Sequence, residues 1–217
     1  MAGRHYPYIS KKIWTLLFIL FLLGLITYHF ITPGIALFFW GALPVLAYFY
    51  RDPERVIPSK PLAIVSPVDA RVVAVDTLPN PYIEGDSIRI ELKSASSDIF
   101  RVRSPAEGKI MKAWLLLPGD PLPQLQGPVS SLRVSHWIQT DEGDNIVVSI
   151  RKRSRLFHPE CEIQTGERIG QGQRCGMIEF GAIMDVYIPA DARLEVAVGD
   201  KVKSGSQILA HLQHLKN

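Results

Sequence analysis

The chain between residues 198 and 209 reads VGDKVKSGSQIL. A glycine turn, a short alternation of apolar and polar residues, a second glycine turn and a second alternation follow one another. This order predicts two short strands joined by tight turns. Similar combinations of a turn and a strand occur upstream in SPVDARVV (66–73), SPAEGKI (104–110) and IPADARL (188–194). In each of these segments a proline-led turn precedes a predicted strand, so the chain contains internal repeats.

The rest of the chain after Arg55 has the same character. Four further runs alternate in a period of two and are bounded by Gly, Pro or Asp: ARVVAV, DSIRIEL, DNIVVSI and MDVYIP. No long amphipathic helix competes with them. The repeats resemble those of biotinyl and lipoyl domains, and we expect a mainly β fold, a compact β barrel or sandwich. The lysine tripeptide of a biotin or lipoate carrier is absent from the sequence.

The N-terminal part is apolar. Of the 217 residues 47% are hydrophobic and 21% charged, which excludes a disordered, collagen-like or disulfide-stapled chain. No Asp, Glu, Lys or Arg occurs between Lys12 and Arg51, and two apolar runs, 13–28 and 35–50, are joined at Pro33 and Gly34. We therefore predict a two-helix membrane hairpin over residues 13–50, after a basic N-terminus (1–12) and before a β domain (51–217). A cleaved signal peptide is the alternative.

Charges around the apolar segment suggest an orientation. Lys11 and Lys12 precede it, and Arg51 and Arg55 follow it. The positive-inside rule then predicts a cell (inner) membrane protein whose β domain lies on the cytoplasmic side. The net charge of +3 is too small to indicate nucleic acid, so a phospholipid membrane is the expected partner.

Four motifs, together with the lipoyl-like tail at 198–209, resemble the short form of the phosphatidylserine decarboxylase family. FYRDPER at 49–55 is similar to the family's FFRDPER, VSPVDA at 65–70 to VSPADG, DIFRVRSP at 98–105 to DVHxNRxP, and GMIEFGAIMDVYIP at 176–189 to GMIxFGSRVDVYLP. The resemblance covers nearly the whole chain. It implies a decarboxylase of phosphatidylserine and a homodimer.

The resemblance also implies a cofactor that the protein makes from itself. In the family a serine hydroxyl attacks the preceding glycine carbonyl, and elimination of the resulting ester leaves a pyruvoyl group that serves as electron sink for decarboxylation. Here Gly181 is followed by Ala182, whose methyl group can neither attack nor leave. We therefore expect no cofactor.

Two other family positions bear on activity. The histidine of the DVH motif is replaced by Phe100, whereas Asp69 matches the family's acidic residue. We predict a pseudoenzyme that binds aminophospholipid head groups, phosphatidylserine among them, or regulates lipid-synthesis partners. One alternative is an active decarboxylase, either because its serine was altered in this sequence or because it matures at another peptide bond; Gly205-Ser206 is the remaining Gly-Ser bond. The other alternative is a structural adaptor that uses the lipoyl-like module for protein contacts.

Basic residues form the other candidate site. The run RKRSR at 151–155 is either a solvated face or a patch that attracts anionic lipid. The candidate lipid-binding residues are Arg51, Arg55, Arg151, Lys152, Arg153 and Arg155. No metal site is predicted, because the histidines and the two cysteines lack metal-ligand spacing.

Overall fold

The structure is a computed structural model that describes residues 13–49, 55–58, 60, 62–95, 101–124, 128–151, 163–178 and 182–213. It divides into two compact units, Met1–Glu54 and Arg55–Asn217. The first contains the helices, and the second contains the strands.

The first unit is a pair of helices, α1 (Ile13–Phe30) and α2 (Pro33–Phe49). The end of α1 is closed by the carbonyl of Thr27, which accepts the N–H of Ile31 at 3.0 Å. Pro33 starts α2, a position where its fixed φ and missing N–H carry no cost. The rings of Tyr28 and Trp40 stack between the helices with centroids 5.9 Å apart.

The predicted membrane hairpin is wrong. In the described part of the chain neither helix is both long and apolar enough to cross a membrane. The helices have 18 and 17 residues. At 1.5 Å per residue they are about 27 and 26 Å long, short of the ~30 Å hydrocarbon core.

The described residues of the second unit form thirteen strands. They are β1 (Ala63–Val65), β2 (Ala70–Pro79), β3 (Asp86–Lys93), β4 (Arg101–Arg103), β5 (Gly108–Leu116), β6 (Arg133–Gln139), β7 (Asn145–Arg151), β8 (Arg168–Ile169), β9 (Arg174–Met177), β10 (Ile183–Pro189), β11 (Arg193–Leu194), β12 (Lys201–Val202) and β13 (Ile208–His211). Eight form one curled sheet in the order β12-β2-β3-β10-β7-β6-β5-β8, and two small sheets are β1-β13-β11 and β4-β9. The strand pairs are antiparallel.

The large sheet takes the place of the expected compact barrel or sandwich. Two hairpins, β2–β3 and β6–β7, are each local in sequence. Strand β10 comes from a distant part of the chain and pairs with β3 on one side and β7 on the other. Because β10 joins both hairpins edge to edge, they become one sheet instead of two facing layers.

The two faces of this sheet differ in chemistry. The apolar face carries the main core, including Val72, Ile90, Leu92, Ile146, Val148, Ile150, Met184, Val186 and Ile188. The residues between them form a polar face with Arg89, Glu91, Ser149 and Asp185, where Tyr82, Val147 and Tyr187 make a second, smaller cluster. Strand β10 is therefore buried on both faces.

Paired turns hold the start of β2 beside the start of β5. The hydroxyl of Ser66 donates to the carbonyl of Val68, and that of Ser104 donates to Ala106, both at 2.7 Å. The turns also bond to each other, since Val65 N–H donates to the Pro105 carbonyl at 2.9 Å and Arg103 N–H to the Pro67 carbonyl at 2.8 Å.

A glycine turn from a later part of the chain bonds to each of these strands in the same way. Val72 of β2 accepts the N–H of Gly199 and Ile110 of β5 accepts the N–H of Gly166, each at 2.8 Å. The backbone N–H of Val72 donates to the carbonyl of Asp200, and that of Ile110 donates to the carbonyl of Glu167, both at 2.9 Å. The β unit thus contains one arrangement of turn and strand twice.

Gly108→Ala tests the tight contact at the start of β5. A Cβ on Gly108 would press against the carbonyl oxygen of Gln139 and lie 2.8 Å from its carbonyl carbon. Because backbone atoms cannot move aside cheaply, we expect a loss of about 1–3 kcal/mol in the free energy of unfolding, measured with urea. Gly170→Ala is the control, since its Cβ meets nothing closer than 3.6 Å. Equal losses in both variants would contradict this packing.

Candidate functional site

The strand registers bring two of the predicted site positions to one end of the large sheet. Arg71 of β2 pairs with Lys93 of β3, and Lys93 pairs with Ile183 of β10. Asp69 and Ala182 come directly before β2 and β10, so they lie at the same end of strands that are about 10 Å apart. We call this end of the sheet the site end.

Asp69 is fully engaged at the site end. Its Oδ2 accepts a hydrogen bond from Arg55 Nη2 at 2.6 Å, and its Oδ1 accepts the backbone N–H of Ser204 at 2.7 Å. The side chains of Asp69 and Arg55 are each 14% exposed, so the ion pair is largely shielded from water. Each carboxylate oxygen therefore accepts a hydrogen bond that ties the turn before β2 to another segment of the chain.

Ser204 connects this pair to strand β4. Its hydroxyl donates to the carbonyl of Pro67 at 3.0 Å and lies 3.5 Å from the carbonyl of Arg101. Phe100 immediately precedes β4 but lies outside the described residues, as does Gly181. Sequence reasoning missed Ser204 because its role depends on a backbone N–H, which carries no side-chain signal.

Ala182 is buried at 5% exposure, and its carbonyl accepts the N–H of Ser94 at 3.0 Å. This bond continues the pairing of β3 with β10 by one residue. The methyl group at position 182 has no nucleophilic or leaving oxygen. The residue present does not fit the formation of a pyruvoyl group at this bond.

Arg151 is the other predicted site residue that the structure describes. Its Nη2 donates to Glu91 Oε2 at 2.5 Å and to Asp185 Oδ1 at 2.9 Å, joining β7, β3 and β10 across the polar face. Binding of lipid by Arg151 and Arg55 stays a prediction. Arg51, Lys152, Arg153 and Arg155 lie outside the described residues.

Burial changes the acid–base behaviour of the polar face. The Asp185 side chain is 1% exposed. Desolvation raises its pKa above the ordinary range, and the charge and hydrogen bond of Arg151 oppose this only in part. Desolvation, reinforced by the charge of Asp185, also raises the pKa of Tyr187. Asp185 is therefore a poorly solvated carboxylate, and it lies opposite Glu91 on the neighbouring strand β3.

Comparison with known proteins identifies the kind of protein that has this fold and these motifs. The sequence model of the phosphatidylserine decarboxylase family matches residues 44–210. Phosphatidylserine decarboxylase proenzymes of Nitrosomonas eutropha and Nitrosomonas europaea are each 32% identical to the chain. The alignments cover 98% and 97% of this chain and 100% and 99% of those proteins. The proenzyme of Burkholderia cenocepacia is 32% identical over 96% of this chain and 98% of its own length.

No solved structure matches the chain significantly. The chain belongs to the phosphatidylserine decarboxylase family. The family is pyruvoyl-dependent, which is consistent with the expectation of no external cofactor.

Asp69→Asn tests the shielded ion pair. Removing the charge leaves Arg55 buried without its counter-ion, and we expect the free energy of unfolding to fall by on the order of 2–3 kcal/mol. The control is Asp76→Asn, which breaks an ion pair to Arg89 of the same 2.6 Å length. Asp76 is 50% exposed, so water screens that pair and the loss should stay within about 0.5 kcal/mol. A smaller loss for Asp69→Asn than for the control would contradict the assigned role.

Asp185→Asn tests the raised pKa. A carboxyl whose pKa is higher in the folded than in the unfolded state binds more protons when folded, so its contribution to stability is present below the unfolded pKa and falls as pH rises through the folded pKa. We expect the stability of the native protein relative to Asp185→Asn to fall as pH rises above about 4. Urea unfolding at several pH values measures this difference. Exposed Asp191 provides the control substitution, Asp191→Asn, and a difference for Asp185 that rises with pH would contradict the assignment.

Proposed function

We propose that this chain is a member of the phosphatidylserine decarboxylase family that does not process itself, and that it acts in phospholipid metabolism by binding aminophospholipid head groups or regulating lipid-synthesis partners. The observation that carries the proposal is Ala182 in place of the serine. In self-processing of this kind the hydroxyl belongs to the residue directly after the broken bond, because that residue becomes the new terminal group. Ser94, which bonds to Ala182 from another strand, cannot take that place.

The state of Asp69 supports the same proposal. A general base needs an oxygen within reach of the proton it removes. Each Asp69 oxygen already accepts a hydrogen bond, one from Arg55 and one from the N–H of Ser204, and the charge of Arg55 stabilises the carboxylate against taking up a proton. With Phe100 in the position of the family's histidine, the site lacks the usual proton carrier as well.

Charge at the site end supports head-group binding. Arg55 places a guanidinium at the site end, and its charge is opposite in sign to that of the phosphate of an aminophospholipid. In the described part of the chain Arg55 Nη1 is buried without a hydrogen-bond partner. An anionic oxygen of a bound head group would satisfy that donor.

The second candidate is an active decarboxylase that matures at Gly205-Ser206. One observation favours it, since the N–H of Ser204, two residues before Ser206, binds Asp69. The turn itself opposes it, because Gly205 has φ +71° and the N–H groups of Ser206 and Gln207 both donate to the carbonyl of Lys203. A bond fixed in this way has little freedom to rearrange.

The mass of the purified full-length protein, measured together with a carbonyl-reactive probe and a phosphatidylserine decarboxylase assay, tests the proposal. We expect one unbroken chain of 24.3 kDa with no probe signal and no release of CO2. Two chains with a carbonyl on the smaller one would contradict the proposal. Ser206→Ala is the matched variant, because it abolishes processing only if the second candidate is correct.

Restoring the lost groups tests how far the site has changed. Ala182→Ser supplies the hydroxyl, and Ala182→Ser with Phe100→His supplies the proton carrier too. We expect the single variant to stay unbroken and the double variant to yield two chains, because the hydroxyl needs a group that accepts its proton. Processing in Ala182→Ser alone would mean that Phe100 is not a second lesion. Unbroken protein in both variants would mean that the site has changed beyond these two residues.

A further inference from the structure

A row of cations runs across the polar face at the site end. Successive strand pairs place Lys201 opposite Arg71, Arg71 opposite Lys93, Lys93 opposite Ile183, Ile183 opposite Arg151, and Arg151 opposite Arg133. Residues directly opposite in antiparallel strands point to the same face. We call Lys201, Arg71, Lys93, Arg151 and Arg133 the basic row.

The basic row has little internal compensation. Arg151 is bound by Glu91 and Asp185. Among the described residues no acidic side chain pairs with the other four. Three of these side chains are exposed: Lys201, Arg71 and Lys93. Arg133 is half-buried, and its Nε has no hydrogen-bond partner among the described residues.

This arrangement costs stability. Side chains directly opposite in adjacent strands have Cβ atoms about 5 Å apart, and like charges at that distance repel. Lys201, Arg71 and Lys93 occupy three adjacent strands with nothing negative between them. A surface that breaks a local rule of sheet stability without compensation in the fold indicates a function.

The opposite end of the sheet has the opposite charge. Six acidic residues lie in or beside the β2–β3 turn, the β6–β7 turn and the turn after β10: Glu84, Asp86, Asp141, Glu142, Asp144 and Asp191. Lys109 and Arg168 also lie at this end, so its charge is mainly but not wholly negative. Asp141 is paired with Arg168. The β unit is therefore electrically polarised along its strands, with the positive pole at the site end.

We infer that the basic row docks the β unit on an anionic phospholipid surface, with the site end toward the lipid head groups. The inference deepens the proposed function, on which the choice of a lipid partner rests. Basic residues near an anionic bilayer contribute about 1 kcal/mol each, and a row of roughly 20–25 Å presents several at once. The charge polarity turns Asp69 and Ala182 toward the head groups and the acidic turns away from them.

Vesicle binding by the full chain tests the docking surface. The row variant combines Arg71→Gln, Lys93→Gln and Lys201→Gln, and the control variant combines Lys60→Gln, Lys109→Gln and Arg193→Gln, which are exposed outside the row. Both lose three positive charges. Co-sedimentation is measured with phosphatidylcholine vesicles and with phosphatidylcholine–phosphatidylglycerol vesicles.

We expect the native protein to prefer the vesicles that contain phosphatidylglycerol. The row variant should lose roughly 100-fold in binding to them, as ~1 kcal/mol for each of three residues implies, and the control variant much less. The preference should vanish at about 1 M salt, where the screening length is ~3 Å. Thermal unfolding of both variants checks that the fold is kept.

Three results would overturn the inference: equal losses in the row and control variants, equal binding of the native protein to both kinds of vesicle, or binding to duplex DNA as tight as to the anionic vesicles. The last would identify a nucleic acid as the partner. Processing and decarboxylation are measured separately. A failure of the docking surface is therefore distinguishable from a failure of the proposed function.

Discussion

The carboxylate of Asp69 joins three segments that are far apart in sequence. Asp69 belongs to the turn that leads into β2. Its carboxylate accepts a hydrogen bond from the Arg55 guanidinium at the start of the β unit and another from the N–H of Ser204 in the turn before β13. Ser204 in turn reaches the carbonyls of Pro67 and Arg101. Because the pair with Arg55 is shielded from water, its loss would leave an uncompensated charge inside the protein, which is far more costly than losing a surface pair. The geometry of the site end depends on this one side chain.

The polar face shows a second use of charge. Arg151 is held between Glu91 and Asp185, and Asp185 lies beside Tyr187 in a strand buried on both faces. The hydroxyls of Tyr82, Ser149 and Ser135 continue the polar contacts across neighbouring strands, with distances of 2.7 and 2.9 Å. Such groups are tolerated in a core only when their hydrogen bonds are made, so they fix which strands are neighbours.

Local patterns in the sequence predicted the strands well and their assembly poorly. The runs ARVVAV, DSIRIEL, DNIVVSI and MDVYIP coincide with β2, β3, β7 and β10, because alternation is a property of a few neighbouring residues. The insertion of β10 between β3 and β7 is a pairing over a long sequence distance, and no local pattern encodes it.

Two errors have identifiable causes. The membrane hairpin is predicted from two apolar runs and the charges that flank them, whereas neither helix of the described residues, 18 and 17 residues long, is both long and apolar enough to cross a membrane. The second glycine turn was overlooked, although GERI at 166–169 repeats GDKV at 199–202 and both turns bond to their strand alike. The spacing of the glycines is the signal in the sequence that marks this repeat.

For the candidate site, the sequence supplied the residue identities and the structure supplied their roles. Asp69 matches an acidic residue of the family and was predicted as part of the site, which suggested a remnant of catalysis. Its contacts give another reason for its presence, because the charge of Arg55 and the N–H of Ser204 need a carboxylate there for the fold. Ala182 has no such constraint from a charge, because an alanine methyl packs in the buried position just before β10 without leaving a polar group unsatisfied. The aspartate is therefore required by the fold whether or not the chain processes itself, whereas position 182 places no such demand on its side chain.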